Sequence, residues 1–304
     1  MSGEIIMIKL NNKGNVSIIL CALFTALLGF TACVTDIGLV YVEKAKLTNA
    51  LDSAALAAVL ELPGNSEKAR EIANDYLVKN EIDPENTEII IATDKRSIQI
   101  KGAKNVKHFF APIININSSD VNSTVKAIVG PSKSVNGGIR PFAVEKFDYT
   151  YGSSVTLKEA AGDGYRGNYG AVAFGGSGSD VFRNNALYGY FETISVGDYI
   201  YTETGNMAGA ANDIKSYINS ENSSFDNYQR DSIRLWTIPL VDNLEVDGRG
   251  RIQVVGFGKF YVEEIIKNSG KIEITGRFIQ YVTNSIIDLN LDDTGVYGAK
   301  LVNN

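Results

Sequence analysis

The sequence predicts an α+β fold: a long N-terminal transmembrane helix with an amphipathic extension, then a small α/β layer and a β-rich C-terminal domain. Three observations predict it. Residues 16–34 carry no charge, Ala and Leu recur at helical spacing over residues 47–62, and short β-branched runs alternate with Gly and Asn in residues 139–304. At 304 residues the chain is long enough to bury a core behind such an anchor. The expected segments are residues 1–15, 16–42, 43–129, 130–138 and 139–304.

Residues 16–42 are predicted to span a membrane. As an α-helix, their uncharged part covers about 30 Å, which matches the hydrocarbon thickness of a bilayer. The only charge in the segment is Asp36, at its far end, where a carboxylate is expected to reach the headgroup region. Lys9 and Lys13 precede the span, so residues 1–15 are expected in the cytoplasm and everything after the span outside.

Cleavage of this segment is the weaker alternative. Residues 30–33 (FTAC) only loosely resemble a lipobox, because Phe30 replaces the usual Leu and the apolar run continues past Cys33. We therefore expect a single-pass protein of the cytoplasmic membrane that keeps its anchor.

The helical periodicity continues beyond the span. Apolar residues recur every three or four positions at Leu47, Ala50, Leu51, Ala54, Ala58 and Leu62, while charged residues fill the other face. One long helix is therefore expected to leave the membrane and become amphipathic. The small side chains of Ala50, Ala54 and Ala58 are expected to let it pack closely against another helix.

The same helix carries a family resemblance. Ten residues, here called the Tad-like motif, carry it: Asp36, Gly38, Tyr41, Leu47, Asn49, Ala50, Asp52, Ala54, Ala55 and Leu56. They resemble the N-terminal segment of TadG-like proteins of the Flp (Tad) pilus-assembly systems, in which a DxGxxY motif precedes an LxNAxDxAALAA motif. The resemblance implies an outward-facing membrane protein whose N-terminal helix contacts other pilus-assembly or pilin-like proteins, either in the membrane or within a surface filament.

The elements expected behind the anchor form a small α/β layer, similar to the one that TadE/TadG-type proteins carry. Pro63 and Gly64 end the long helix. Local patterns then predict a second helix, a hairpin of two strands and a further strand, at residues 66–82, 88–92, 97–101 and 120–129. Residues 106–114 stay ambiguous, because Phe109 and Phe110 suit a short helix that Pro112 interrupts.

Residues 130–138 (GPSKSVNGG) are small and polar, which predicts a linker before the β-rich domain. In that domain, β-type runs are predicted at residues 142–144, 154–157, 170–174, 193–196, 199–201, 234–241, 251–257, 271–280 and 285–289. One helix is predicted at residues 208–220.

Composition and motifs argue against most chemistries. The net charge of −6, with no cluster of Lys and Arg, makes a nucleic-acid partner unexpected. His108 is the only histidine, both cysteines (Cys21 and Cys33) lie in the span, and no GxSxG is present. We therefore expect no catalytic residue, no metal, no cofactor and no small-molecule substrate.

Two further patterns resemble binding sites only in part. The glycine-rich residues 175–180 lack the Lys-Ser or Lys-Thr of a phosphate loop and have no helical pattern after them, so they are expected to form a flexible hairpin tip. The acidic residues 288–293 lack the Gly and the closing Glu of a calcium loop. The DxSxS metal motif of some TadG proteins is absent, and that feature is not carried over.

Two functions remain from the sequence. The first is a non-catalytic component of a Flp/Tad-type pilus system, either a pilin-like subunit or an assembly factor. The alternative is an anchored surface enzyme or carbohydrate-binding module. Its support is the β-rich half and a set of tyrosines that could offer contact area: Tyr149, Tyr151, Tyr165, Tyr169, Tyr188, Tyr190, Tyr199 and Tyr201.

Overall fold

The structure is a computed structural model that describes residues 15–159, 168–203, 207–244, 248–268 and 271–302. Lys9 and Lys13, on which the predicted orientation rests, lie outside the described residues, as does Tyr165.

The helices are α1 Asn15–Val59, α2 Ser66–Lys79, α3 Ser179–Tyr188 and α4 Ala211–Ile218. Short 3-10 helices cover Pro84–Asn86, Ala111–Ile114 and Met207–Ala210. The strands are β1 Thr87–Ile91, β2 Ser97–Lys107, β3 Ser118–Pro131, β4 Ser134–Asn136, β5 Phe142–Glu145, β6 Ser154–Glu159, β7 Asn168–Ala173, β8 Thr193–Ser195, β9 Tyr199–Thr202, β10 Leu235–Val241, β11 Arg251–Asn268, β12 Lys271–Ile279, β13 Tyr281–Val282 and β14 Val296–Val302. The predicted α+β class is confirmed.

Helix α1 is one continuous element of 45 residues, about 67 Å long. Its apolar first part is exposed, and by length and composition α1 could cross a membrane. Hydroxyl groups in this part need no outside partner, because Thr25, Thr31 and Thr35 each donate to the backbone carbonyl four residues earlier. The predicted apolar helix is therefore present, and it fits a membrane anchor.

The second part of α1 packs on a five-stranded sheet with the order β1-β2-β3-β14-β13. The predicted hairpin is confirmed, with β1 and β2 antiparallel from Thr87↔Gly102 to Ile91↔Ile98. Together α1, α2 and the sheet bury one core, which includes Leu47, Leu51, Ala54, Ala58, Ala69, Ala73, Leu77, Ile98, Ile100, Val125 and Tyr297. This core holds α1 rigidly where it leaves its apolar part.

The β-rich half contains a seven-stranded sheet with the order β10-β5-β7-β6-β12-β11-β9. Its core is aromatic, with Phe142 stacked on Trp236 at a ring-centroid distance of 5.1 Å and placed edge-on to Tyr169 at 5.3 Å. Residues from α3 and α4, among them Phe182 and Ile214, complete the same core. The predicted β-rich domain is therefore present.

The stretch 130–138, expected to be a linker, holds strand residues in the structure. β3 continues to Pro131 and β4 spans Ser134–Asn136, while β14 returns from the C-terminal end to pair antiparallel with β3. Small residues suit this close packing, since a Cβ on Gly298 would lie 2.3 Å from the Ser285 carbonyl oxygen. The smaller sheet thus combines β1, β2 and β3 with β13 and β14 from the C-terminal part of the chain. That residues 139–304 fold alone stays a proposal.

Two predictions of local structure were wrong. The glycine-rich residues 175–180 do lead into a helix, α3, which begins at Ser179 and whose Phe182, Asn185 and Ala186 are buried. The helix has only ten residues, and apolar periodicity over so short a segment does not predict a helix. Residues 285–289 form no described strand, and Ile287 makes only an isolated bridge to Ser132.

Candidate functional site

Asp36 is buried, with 5% of its surface exposed, although it lies on a helix whose neighbouring turns are exposed. Its Oδ1 accepts a hydrogen bond from the Phe109 N–H at 2.8 Å, and its Oδ2 accepts from Phe110 at 3.0 Å and Ala111 at 2.7 Å. The carboxylate therefore caps the start of the 3-10 helix Ala111–Ile114. The sequence predicted that this group would reach the headgroups, but in the structure it binds protein N–H groups.

These bonds tie residues 108–117, here called the exit loop, to α1. The exit loop connects β2 with β3. Between the loop and α1 lies an apolar groove of about 520 Å³, lined on the helix side by Gly29, Ala32, Cys33, Ile37 and Val40 and on the loop side by Phe110, Ala111, Ile113, Ile114 and Ile116. The groove follows α1 from Asp36 back toward the middle of the apolar stretch.

A second polar contact between α1 and the rest of the smaller layer lies two turns further along the helix. Glu43 accepts hydrogen bonds from Lys104 on β2 at 2.6 Å and from Lys46 at 2.8 Å. The hydrogen bond from Lys104, followed by that from Lys46, holds the pKa of Glu43 below its ordinary value. Asp36 and Glu43 together fix α1 against β2 and the loop that follows it.

His108 forms a Ser-His pair that the sequence could not show. Ser119 Oγ lies 3.0 Å from His108 Nε2, and His108 Nδ1 lies 3.3 Å from the carbonyl oxygen of Ile116. A nucleophilic serine needs free N–H donors for the oxyanion of its intermediate. Here the nearby loop N–H groups already bind the Asp36 carboxylate, whose negative charge would repel an oxyanion. We interpret the pair as a contact that closes the loop.

The Tad-like motif divides between two opposite faces of α1. Asp36, Leu47, Ala50, Ala54 and Ala55 are buried, and Asp52 is half-buried. Gly38, Tyr41, Asn49 and Leu56 are exposed, although Leu56 only moderately. At about 100° per residue these four point away from the core. Packing within this chain therefore does not account for these four residues of the motif.

The predicted packing face lies inside this chain. Ala50, Ala54 and Ala58 are at most 2% exposed and share a core with Ala69 and Ala73 of α2. These small side chains thus lie in the core that α1 forms with α2 and the five-stranded sheet. Another protein could reach them only by opening this core.

The residues of the other sequence patterns have partners within the chain. Asp292 pairs with Lys146 and Asp293 with Arg96, so the acidic side chains point to separate cations. The Gly178 N–H binds Glu203 at 3.2 Å. In the part of the chain that the structure describes, no group of three His, Cys, Asp or Glu residues lies close enough to hold a metal.

The tyrosines of the β-rich half have different environments. Tyr169 is buried, and Tyr149 packs face to face on Phe278 at 3.9 Å, so both belong to the core. Tyr188, Tyr199 and Tyr201 are about half exposed. They do not gather at a described pocket, and the carbohydrate-binding alternative gains no support from them.

Lys259 on β11 is a cation inside the β-rich half. Its Nζ donates to Thr237 Oγ1 at 3.1 Å and lies 4.7 Å from the centre of the Tyr281 ring. Burial, together with the positive charges of Arg140 and Arg230, lowers the pKa of Lys259 to about 7. In the unfolded chain a lysine has a pKa of about 10.4.

This difference predicts how stability depends on pH. Below about pH 7 the Lys259 side chain is charged in the folded protein. The full cost of desolvating that charge then lowers the free energy of unfolding. Between about pH 7 and pH 10 the unfolded chain binds more protons than the folded one, so stability rises with pH. Lys259→Met should therefore raise the thermal midpoint most near pH 6, by an amount that shrinks toward pH 10. Near-UV circular dichroism measures this, with the exposed Lys271→Met as control. A gain independent of pH would contradict the prediction.

Comparison with known families gives one match. The family model Tad, described as "Putative Flp pilus-assembly TadE/G-like", matches residues 14–61. That range contains all of α1 and every residue of the Tad-like motif. No curated protein and no solved structure matches the chain. The family match confirms the resemblance predicted for the N-terminal helix and supports involvement of this chain in Flp/Tad pilus assembly.

Proposed function

We propose that this chain is a membrane-anchored, outward-facing component of a Flp/Tad-type pilus assembly system. It acts without catalysis, as a pilin-like subunit or as an assembly factor. The observation that carries the proposal is the exposed part of the Tad-like motif, on the face of α1 opposite the core. The family match over residues 14–61 supplies the pilus system.

The exposed part of the motif is suited to contact another helix. Gly38 has open space around its Cα, since a Cβ placed there would meet no atom of the described residues within 4 Å. Tyr41 projects from the same face and is 75% exposed. Asn49 lies about 20 Å beyond Asp36 along the helix axis, which is outside the hydrocarbon of a bilayer. A neighbouring protein helix is therefore the partner we propose for this face.

The orientation in the membrane follows from charge. Lys9 and Lys13 precede the apolar part of α1, and the positive-inside rule favours a cytoplasmic location for them. The two sheets and their helices then lie outside the cytoplasmic membrane, where a pilus is assembled. The geometry around His108 supports a non-catalytic role, because the nearby loop donors are used by Asp36.

Site-specific photocrosslinking tests this proposal. A photoreactive phenylalanine analogue replaces Asn49 in cells that carry the pilus system. The matched control replaces Val78, which is exposed on α2, away from the motif face. We expect the Asn49 variant to capture a protein that mass spectrometry identifies as a pilin-like or assembly protein of the same system. The Val78 variant should not capture it.

Two results would contradict the proposal. If both positions captured the same proteins, or neither captured a pilus protein, the motif face would not be a partner surface. Labelling of Ser119 by a serine-reactive fluorophosphonate would instead favour the anchored surface enzyme.

A further inference from the structure

The exit loop exposes a continuous set of large apolar side chains. Phe109 is 74% exposed, Ile113 85% and Ile114 68%, and Phe110 and Ile116 add to the same surface. Contiguous apolar surface of this kind on a folded protein marks an interaction site. Contacts with the other described residues leave these side chains uncovered.

The loop lies beside the last part of the apolar stretch of α1. If the span starts at Val16, Asp36 lies about 30 Å along the axis, at the far boundary of the hydrocarbon. The groove between loop and helix reaches back to Gly29, which is about 10 Å before Asp36 along the helix axis. The apolar side chains of the loop are therefore at the depth of the outer acyl chains.

Most backbone N–H groups of the exit loop have partners within the protein, which suits a medium without water. Irregular backbone is tolerated in hydrocarbon only when its polar groups have partners in the protein. The N–H groups of Phe109, Phe110 and Ala111 bind Asp36. Four further N–H groups bind backbone carbonyls at 3.0–3.1 Å, those of His108, Ile113, Asn115 and Ile116. Pro112 has no N–H to satisfy.

From these three observations we infer that the exit loop inserts into the outer leaflet and is a second membrane contact of this chain, beside α1. The inference rests on the proposed membrane anchoring of α1. The occupant of the groove and of the apolar surface is lipid acyl chain. Lipid is the favoured occupant because the groove is continuous with the surface of the span. The helix side of the groove is part of the span, which lipid already surrounds.

The charges near the loop agree with this placement. Asp36, at the boundary, faces three N–H donors and not the lipid. Lys107 is exposed at the end of β2, where the loop begins. Its ammonium can reach headgroup phosphates while its alkyl chain follows the apolar surface. Two attachments would restrict how α1 and its sheet tilt against the membrane.

Tryptophan quenching by brominated lipid tests the inference on the full chain. The natural Trp236 is 1% exposed in the aromatic core and gives a constant background. Three single variants are reconstituted in phosphatidylcholine vesicles, with or without bromine near the headgroup end of the acyl chains. Ile113→Trp reports on the loop, Leu23→Trp on the span, and the exposed Val78→Trp on a position away from both.

We expect brominated lipid to remove most of the added fluorescence of Ile113→Trp, with emission shifted to the blue, and to leave that of Val78→Trp unchanged. Quenching of Leu23→Trp shows that α1 is anchored. If Leu23→Trp is quenched and Ile113→Trp behaves like Val78→Trp, the loop does not enter lipid and the inference is overturned, while the anchor stands. If Leu23→Trp is not quenched either, the proposed anchoring itself fails.

Discussion

Replacing Asp36 with Ala is expected to release the exit loop from α1 and to open the amides of Phe109, Phe110 and Ala111 to hydrogen exchange. The three N–H groups lose their shared acceptor, at a cost of about 2–4 kcal/mol in the free energy of local opening. At about 1.4 kcal/mol per factor of ten, exchange should become roughly 30- to 1,000-fold faster. Hydrogen exchange with mass spectrometry of peptides that cover the loop measures this change.

Two variants serve as controls for Asp36→Ala. Asp36→Asn keeps one acceptor oxygen, and we expect intermediate exchange at the same amides. Asp75→Ala removes an exposed carboxylate that pairs with Lys79 on α2, and it should leave the loop unchanged. If the loop of Asp36→Ala exchanged as slowly as that of the unsubstituted protein, the carboxylate would not be what holds it.

Replacing Tyr297 with Ala should loosen the smaller sheet, although this residue comes from the last strand of the chain. Tyr297 is fully buried in the core shared with α1 and α2, and it lies opposite Pro131 in the pairing of β14 with β3. Loss of a large buried aromatic side chain costs about 3–5 kcal/mol. We expect the free energy of unfolding, measured in urea, to fall by that amount. Hydrogen exchange of the β2 and β3 amides should become faster.

Tyr297→Phe separates the packing of the ring from its hydrogen bonds. The hydroxyl donates to Asp293 at 2.7 Å and accepts from Gln280 at 3.1 Å. Burial and the Asp293 carboxylate raise the pKa of this phenol, so it stays neutral. The Phe variant should lose about 1–2 kcal/mol. If Tyr297→Ala changed exchange only in the seven-stranded sheet, β14 would not stabilise the smaller layer.

The sequence alone determined the features that depend on near neighbours in the chain. Each of these features lies within one element or one turn. They are the apolar run, the helical spacing after it and the two β-branched runs on either side of residues 93–96. They predicted α1, α2 and the β1–β2 hairpin because hydrophobic periodicity is a local signal. The Tad-like motif was recognised for the same reason, since its residues all lie on one helix.

Only the tertiary structure decided what these elements touch. Asp36 and its partners are separated by at least 73 residues in the chain, and β14 pairs with a strand that ends at Pro131. No local pattern encodes such contacts, because they depend on how the elements pack in three dimensions. The division of the motif into a buried and an exposed face has the same origin. A helical wheel shows which residues share a face. Only the positions of the sheet and of α2 show which face is covered, and this packing leaves Tyr41 and Asn49 free for a partner.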